Sequence, residues 1–207
     1  AARRSPAGSA TRTPHEPGDG VMTRHPHPPR LLILSCSATK RYGATYMPAI
    51  ERYDGPLWRT LRAADPDRRL ARVAFLSARL GFRGADTPIE LYDARMTAEI
   101  AERMKAGGLV TRWPRPRTQR RVMPDGEHPG MHIASLSGYG RQPFVDVALV
   151  GGPLYLDVMR HFVGLFRERG HVTADATIIE INGPIGHMRQ DLRLWLLAGQ
   201  AGAGGRT

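Results

Sequence analysis

Residues 31–43 read LLILSCSATKRYG, and this stretch decides the fold. Four consecutive apolar residues predict a short strand covered on both faces, which is typical of a parallel sheet. The run stops at a cluster of hydroxyls, one thiol and two cations. Ligands in open α/β sheets bind beyond the carboxyl ends of the strands. We therefore expect this strand to be central and the polar residues after it to belong to a site.

The rest of the chain alternates between strands and helices. Further strands are predicted in ARVAFLSA (71–78), MHIASL (131–136), FVDVALVGG (144–152) and ATIIEI (176–181). Helices are predicted in GPLWRTLRAAD (55–65), TAEIAERMKAGG (97–108), PLYLDVMRHFVGLFRERG (153–170) and GHMRQDLRLWLLAG (186–199). Thr97 is the expected N-cap of the second helix. The pattern predicts a single α/β domain with a mainly parallel central sheet flanked by helices.

A length of 207 residues favours one folded domain. Residues 1–30 form a basic tail rich in Pro and Arg, which we expect to be disordered because it has little apolar surface to bury. The folded domain is expected over residues 31–198, with a basic loop insertion at 112–131 and a flexible tail at 199–207. No apolar run approaches the roughly 18 residues of a membrane span. We expect a cytoplasmic monomer that does not bind membranes.

The charge balance favours nucleic acid as a partner. Lys and Arg together number 30 against 19 acidic residues, for a net charge of +11. A GC-rich genome explains arginine in place of lysine, but it does not explain the excess of basic residues. In the insertion, Trp113 either stacks on a base or packs locally. The residues expected to contact the DNA backbone are Arg41, Arg112, Arg115, Arg117, Arg120 and Arg121.

Several kinds of site are excluded because the residues or motifs that they require are absent. Cys36 is the only cysteine, so the chain forms neither an internal disulfide nor an all-cysteine zinc site. The phosphate-loop, dinucleotide-binding and nucleophile-elbow motifs do not occur. Cys36 is either a nucleophile paired with His187 or a small core residue, and we favour the core. No metal or cofactor is expected.

Small residues, hydroxyl groups, a few charged side chains and an imidazole follow four of the predicted strands. We expect them to meet at one edge of the sheet. That combination suits a pocket with room for a ligand and convergent hydrogen-bonding groups. The residues are Ser35, Cys36, Ser37, Thr39 and Lys40 after the first strand; Ser77, Arg79, Gly81 and Phe82 after the second; Gly151, Gly152 and Tyr155 after the FVDVALVGG strand; and Asn182, Gly183 and His187 after the last.

Five segments recur in the same order in a bacterial family. They are LILSCSATK, YDGPLWRTLRA, VAFLSARLGF, TPIELYDARM and GPIGHMRQDLRLWL. On these segments the chain resembles the YaaA-like domains of unknown function, well over residues 31–96 and loosely over 183–196. That family is similar in fold to the uracil-DNA-glycosylase superfamily. The resemblance implies DNA binding and chemistry at an N-glycosidic bond, as in an antiviral DNA glycosylase that excises a modified pyrimidine from phage DNA.

Base excision assigns roles to the candidate residues. A carboxylate must stabilise the positive charge that develops on the sugar, and Asp93 is the first candidate. Asp54 is the second, although it could instead cap the helix that begins near Pro56. The imidazole of His187, neutral or charged, would donate a hydrogen bond to the base or to a phosphate. The flipped base would stack on Tyr53 and Tyr92.

The remaining candidates bind the flipped nucleotide. Ser35, Ser37 and Thr39 would hydrogen-bond to its base or phosphate, and Lys40 would supply charge. The glycines Gly81, Gly151 and Gly152 would leave room for a bulky base. A Schiff base on Lys40 needs a lowered pKa. The neighbouring Arg41 gives only weak support for a lowered pKa of Lys40. We therefore expect a monofunctional enzyme that leaves an abasic site.

Two other functions stay open. A DNA-binding stress protein without catalytic activity would explain the charge and the fold, and it would not need Asp93. A hydrolase or transferase of free nucleosides or nucleotides would use the same pocket, and the arginine-rich insertion would then be incidental.

Overall fold

The structure is a computed structural model that describes residues 29–115 and 127–201. Its strands are β1 (Arg30–Ser35), β2 (Met47–Pro48), β3 (Arg72–Ser77), β4 (Gly81–Gly84), β5 (Pro88–Ile89), β6 (Phe144–Val150) and β7 (Val172–Ile181). Its helices are α1 (Ala49–Arg52), α2 (Pro56–Ala64), α3 (Ala98–Gly107), α4 (Pro129–Leu136), α5 (Pro153–Glu168) and α6 (Ile185–Ala201). The predictions for residues 1–28 and 202–207 lie outside these ranges.

Five strands form one sheet in the order β4-β3-β1-β6-β7. The β3-β1-β6-β7 pairs are parallel, and β4 joins β3 as an antiparallel edge strand. The predicted α/β class, the mainly parallel sheet and the central position of β1 are therefore confirmed. The chain leaves β1 toward β3 on one side and later enters β6 on the other. This puts the switch in strand order beside the carboxyl end of β1, where ligands bind in such folds.

Helices cover both faces of the sheet, which explains the continuous apolar run in β1. Leu31 and Ile33 point into a core formed with α3, α4 and α5, whereas Leu32 and Leu34 point into a second core with α1, α2 and α6. All four leucine and isoleucine side chains are completely buried. Successive side chains of a strand alternate between its faces, so a strand covered on both sides must be apolar throughout.

One predicted strand is wrong. MHIASL lies within helix α4, whose N-cap is His128 and whose first turn contains Pro129. Nδ1 of His128 accepts a 3.2 Å hydrogen bond from the amide of Met131. Of this segment Ile133 is fully buried. The signals that start the helix stand before the apolar segment, so the segment read alone resembles a strand.

The other helices and strands occur where the sequence predicts them. Thr97 caps α3 as expected, since its hydroxyl oxygen accepts a 3.2 Å hydrogen bond from the amide of Ile100. The sequence did not indicate β4, α1 or the two-residue pair β2–β5. In the part of the chain that the structure describes, no helix has both the length and the apolar character needed to cross a membrane.

Candidate functional site

A connected set of polar side chains lies at the carboxyl edge of the sheet. We call it the rim cluster; its members are Cys36, Lys40, Tyr53, Ser77, Tyr92 and Tyr155. The hydroxyl of Tyr92 lies 2.8 Å from that of Ser77 and is hydrogen-bonded to that of Tyr53. The thiol of Cys36 lies 3.2 Å from the hydroxyl of Tyr155. The cluster therefore joins the ends of β1 and β3 to α5 and to the segment after β5.

The tyrosine hydroxyls of the rim cluster are neutral. Burial raises the pKa of Tyr53, Tyr92 and Tyr155 well above the ordinary value for a phenol, and the neighbouring Cys36 acts in the same direction. Burial disfavours the phenolate because the charged form loses its hydration. These side chains therefore serve as hydrogen-bond donors and acceptors.

The amine of Lys40 lies over the aromatic rings of the rim cluster. Its Nζ is 4.4 Å from the ring centroid of Tyr92 and 5.8 Å from that of Tyr53. Burial lowers the pKa of Lys40, and the neighbouring Cys36 and Asp93 offset part of this effect. The half-buried amine is thus easier to deprotonate than a surface lysine.

A buried arginine shapes the loop that follows Lys40. The side chain of Arg52 is fully buried, and its guanidinium donates hydrogen bonds to the carbonyl oxygens of Arg41 (2.8 Å), Thr45 (3.1 Å) and Ile89 (3.4 Å), and to that of Ala44. A guanidinium carries five hydrogen-bond donors in a fixed plane, so one arginine side chain can bind several backbone segments at once. Arg52 therefore connects the loop to the segment that leads to Tyr92.

The backbone of the same loop is paired with residues 52–54. Lys40 and Tyr53 form an antiparallel bridge. The amide of Asp54 donates a 2.9 Å hydrogen bond to the carbonyl of Thr39, and the amide of Arg41 donates a 2.8 Å bond to Arg52. Lys40 is consequently fixed at its backbone, and its side chain is aimed at the tyrosines.

The two candidate carboxylates have different surroundings. Oδ1 of Asp54 accepts hydrogen bonds from Arg41 (3.1 Å) and Arg62 (2.5 Å). Asp54 does not cap α2, because the N-cap is Gly55 and no side chain bonds to the first turn. Asp93 is exposed, and its charge acts on Lys40. The arrangement gives Asp54 a structural ion pair and leaves Asp93 accessible at the rim.

A cavity of about 270 Å³ adjoins the rim cluster, with Cys36 in the shared wall. Predicted residues Ser35, Ser37 and Thr39 line it, together with the start of α2 and Ile185. Nε1 of Trp58, at its base, donates a 3.0 Å hydrogen bond to the carbonyl of Ser35. His187 is exposed on the first turn of α6 and does not line this cavity.

Two predicted base-contacting rings have no free face. Phe82 is 1% exposed and packs against Phe166, with ring centroids 5.0 Å apart. The ring of Tyr53 lies between Trp58 and Phe75. Phe82 thus belongs to the core, and the fully buried ring of Tyr53 leaves no face on which a base could stack. Tyr92 is half-buried.

Two of the three predicted pocket glycines are needed for packing and leave no room for a base. A Cβ on Gly81 would lie 2.9 Å from the Cβ of Trp113, and Gly81 also has a φ of +69°. A Cβ on Gly151 would lie 3.0 Å from the Cβ of Ser35. Only Gly152, the N-cap of α5, faces open space.

The described part of the basic insertion is anchored to the core. Trp113 is 5% exposed and forms an antiparallel bridge with Glu127, and Arg83 donates a 2.7 Å hydrogen bond to the Trp113 carbonyl. Of the two roles predicted for Trp113, stacking on a base or local packing, the structure shows local packing. Arg112 is half-buried and Arg115 exposed. The predicted phosphate contacts of Arg117, Arg120 and Arg121 lie outside the described residues.

Arg79, which the sequence predicts to bind the nucleotide, is exposed. Its guanidinium lies 3.7 Å from the carboxylate of Glu90.

A basic groove that the sequence analysis missed runs between α2 and α6. Its volume is about 520 Å³, and Arg59, Arg189 and Arg193 line it. We call it the α2–α6 crease. It neighbours the smaller cavity, because Trp58 and Ile185 border that cavity and the next residue of each helix borders the crease. The spacing of Arg189 and Arg193, four residues apart on one helix face, was the available signal.

Two of the three arginines of the crease donate hydrogen bonds to neutral oxygens. Nε of Arg189 donates a 3.1 Å hydrogen bond to the hydroxyl of Thr60, and Nε of Arg59 donates a 2.9 Å bond to the carbonyl of Asp54. Among the ion pairs between described residues, none involves Arg59, Arg189 or Arg193. Their positive charge is therefore not neutralised by a paired carboxylate in that part of the chain.

Comparison with protein-family models, with curated proteins and with solved structures finds no match. Within residues 29–115 and 127–201, no three or more His, Cys, Asp or Glu side chains gather into a group that could hold a metal ion.

Proposed function

We propose that the chain is a DNA glycosylase that hydrolyses the N-glycosidic bond of a modified base and leaves an abasic site. The observation that carries this proposal is that the α2–α6 crease and the hydroxyl-lined cavity beside the rim cluster are bordered by adjacent residues of α2 and of α6. A groove lined by three arginines thus neighbours a small polar pocket. In this proposal the protein acts as a cytoplasmic monomer.

The crease suits the sugar-phosphate backbone of DNA. Guanidinium groups bind phosphate oxygens through paired hydrogen bonds, and Arg59, Arg189 and Arg193 line one groove. Such contacts hold the DNA in register without reading its sequence. Exposed Arg41 and Arg115 would add charge near the rim.

The cavity suits one base. Its volume of about 270 Å³ is just below the range of roughly 300–1,000 Å³ for pockets that hold drug-sized ligands. A base within a duplex reaches such a pocket only when its nucleotide is flipped out of the stack. The hydroxyls of Ser35, Ser37 and Thr39 would then hydrogen-bond to the edge of the base. The resemblance to YaaA-like domains adds the substrate class, a modified pyrimidine of phage DNA.

The chemistry is assigned to Asp93 and to two tyrosines of the rim cluster, which Cys36 joins to the cavity. The carboxylate of Asp93 stabilises the positive charge that develops at C1′ and orients the attacking water. The neutral hydroxyls of Tyr92 and Tyr155 are available to donate to the departing base as electrons accumulate on it. Asp54 supports the loop through its two arginines and does not take part in the reaction.

The test measures base release from synthetic DNA. Single- and double-stranded oligonucleotides carrying uracil, 5-hydroxymethylcytosine or its glucosylated form are incubated with the protein and treated with alkali. We expect strand breaks with one modified substrate, and at least about 100-fold slower release by Asp93→Asn. The matched control, Asp67→Asn, changes an exposed carboxylate before β3, at the opposite edge of the sheet.

Each rival function predicts a different result. DNA binding without base release from any substrate would identify a non-catalytic DNA-binding protein. Release from free nucleosides, together with weak DNA binding at physiological salt, would identify a nucleoside hydrolase or transferase. Either result would contradict the proposal.

A further inference from the structure

Lysine is almost absent from this chain, which makes its position informative. Of 30 basic residues only Lys40 and Lys105 are lysines. Lys105 lies on α3, where its amine is 2.7 Å from both Glu102 and Asp157. That is an ordinary surface ion pair. Lys40 instead lies in the rim cluster over two tyrosine rings, and no carboxylate of the described residues is within ion-pair distance of it.

An amine at this position can do what a guanidinium cannot. A guanidinium stays protonated in proteins and is not a nucleophile, whereas a deprotonated amine attacks carbonyl carbons. The neighbouring residue is Arg41, so positive charge alone would not require a lysine here. The Lys40–Tyr53 backbone bridge also fixes where the side chain starts, which an attacking group needs.

The surroundings of Lys40 both favour and oppose its charged form. The rings of Tyr53 and Tyr92 favour the ammonium, and so do the neighbouring Cys36 and Asp93. Burial opposes it and is the largest effect, so the pKa of Lys40 is lowered. The tyrosine hydroxyls remain neutral because burial raises their pKa values. A deprotonated amine is therefore more accessible than in Lys105, whose pKa the two carboxylates raise.

We propose that Lys40 is a nucleophile that attacks C1′ of the abasic deoxyribose and cleaves the DNA strand on its 3′ side. The protein would then act both as a glycosylase and as an abasic-site lyase. This inference rests on the proposed function, since base removal supplies the abasic sugar. It replaces the expectation of a monofunctional enzyme.

The reaction balances without a further reagent. The amine lone pair of Lys40 adds to the C1′ aldehyde of the ring-opened sugar, and loss of water gives an imine. A base removes a proton from C2′, the electrons form a C2′–C3′ double bond, and the C3′–O bond breaks to release the 3′ phosphate. Asp93, whose charge acts on Lys40, is the carboxylate assigned to accept this proton. Water then hydrolyses the imine and regenerates the amine.

The test starts from DNA in which an abasic site is already present, so it does not depend on base removal. The full chain is incubated with this DNA and sodium cyanoborohydride, which reduces an imine to a stable secondary amine. We expect a covalent protein–DNA adduct with the wild type and with Lys105→Arg. We expect at least about 100-fold less adduct with Lys40→Arg, which keeps the charge but removes the amine. Peptide mass analysis should locate the adduct on Lys40.

The outcomes separate this inference from the proposed function. No adduct with the wild type, or equal adduct with Lys40→Arg, overturns the role of Lys40 even if base release is observed on modified DNA. An adduct on Lys40 without base release from any modified oligonucleotide supports the lyase step and contradicts the glycosylase. Lys40→Gln provides a second variant, and matching thermal unfolding of both variants to the wild type shows that they fold.

Discussion

The guanidinium of Arg52 donates a 2.8 Å hydrogen bond to the carbonyl oxygen of Arg41, the residue next to Lys40. The same group also reaches the carbonyls of Ala44, Thr45 and Ile89. A side chain that is fully buried thus gives the exposed loop its shape. Hydrogen bonds donated by a charged group contribute more than those between neutral groups, so this single residue connects stability to the geometry of the rim.

Replacing Arg52 should destabilise the protein strongly. Arg52→Met removes the donors from four carbonyls, and we expect the free energy of unfolding in urea to fall by about 2–4 kcal/mol. Arg69→Met is the matched control, because Arg69 is exposed between α2 and β3; it should change the free energy of unfolding by no more than about 0.5 kcal/mol. Equal losses in the two variants would show that Arg52 does not organise the loop.

The α2–α6 crease predicts how DNA binding depends on salt. Arg189→Gln combined with Arg193→Gln should weaken binding and make the slope of log K against log [salt] less negative by about 1.8, or 0.9 for each lost phosphate contact in duplex DNA. Fluorescence anisotropy over a series of salt concentrations measures this slope. The double variant Arg103→Gln and Arg160→Gln removes the same charge from α3 and α5 on the opposite face. An identical slope change there would show that the crease does not contact DNA.

Replacing Asp54 should lower the stability of the protein more than replacing Asp93. Asp54→Asn weakens the bonds to Arg41 and Arg62, so we expect the free energy of unfolding to fall by about 1–2 kcal/mol. Asp93→Asn should change it by less than about 0.5 kcal/mol, because Asp93 is exposed. Urea unfolding measures both. If Asp93→Asn proved the more destabilising substitution, its carboxylate would be structural.

Trp113 should matter for the core and not for base stacking. Trp113→Ala should lower the free energy of unfolding by about 3–5 kcal/mol, because a 5%-exposed indole is removed from beside Gly81. Trp113→Phe keeps most of the packing, so DNA affinity in the anisotropy assay should equal that of the wild type. Loss of affinity in a stably folded Trp113→Phe protein would restore the indole as a DNA-contacting group.

His132 should make the protein less stable in mild acid. Burial lowers its pKa below the ordinary value of 6.5, and the charge of Arg83 acts in the same direction, while the carboxylate of Glu127 partly opposes the shift. The unfolded chain therefore binds a proton first, so the stability contributed by neutral His132 is complete above about pH 6.5 and declines as pH falls below it. Urea midpoints between pH 5 and 7.5 should vary less in His132→Gln than in the wild type. His161→Gln, at an exposed position, should follow the wild type.

The sequence predicted those parts of the fold in which local pattern and burial agree. The apolar runs of β1 and β6 predict buried parallel strands because their side chains must be apolar on both faces. The pair β2–β5 has two residues in each strand, too few for any periodicity. Helix α4 was misassigned because the residues that start it, His128 and Pro129, precede the apolar segment.

The site was predictable in position and less so in composition. Ser35, Ser37 and Thr39 follow a central strand, and they do line a cavity at its carboxyl end. The spacing of Arg189 and Arg193 indicates one basic helix face, but it does not predict the crease, because Arg59 joins that face only when α2 and α6, 130 positions apart at Arg59 and Arg189, lie side by side. Phe82 was misassigned because antiparallel β4 turns back from the rim and returns that ring to the core.

The walls of the crease come from opposite ends of the folded chain, with consequences during synthesis on the ribosome. One wall is α2, and the other is α6, which begins at Ile185. A nascent chain that has not yet released Arg193 has the loop around Lys40 but only half of the groove. The complete groove therefore forms only after α6 has been synthesised and has packed against α2, and a chain truncated before α6 lacks one of its two walls.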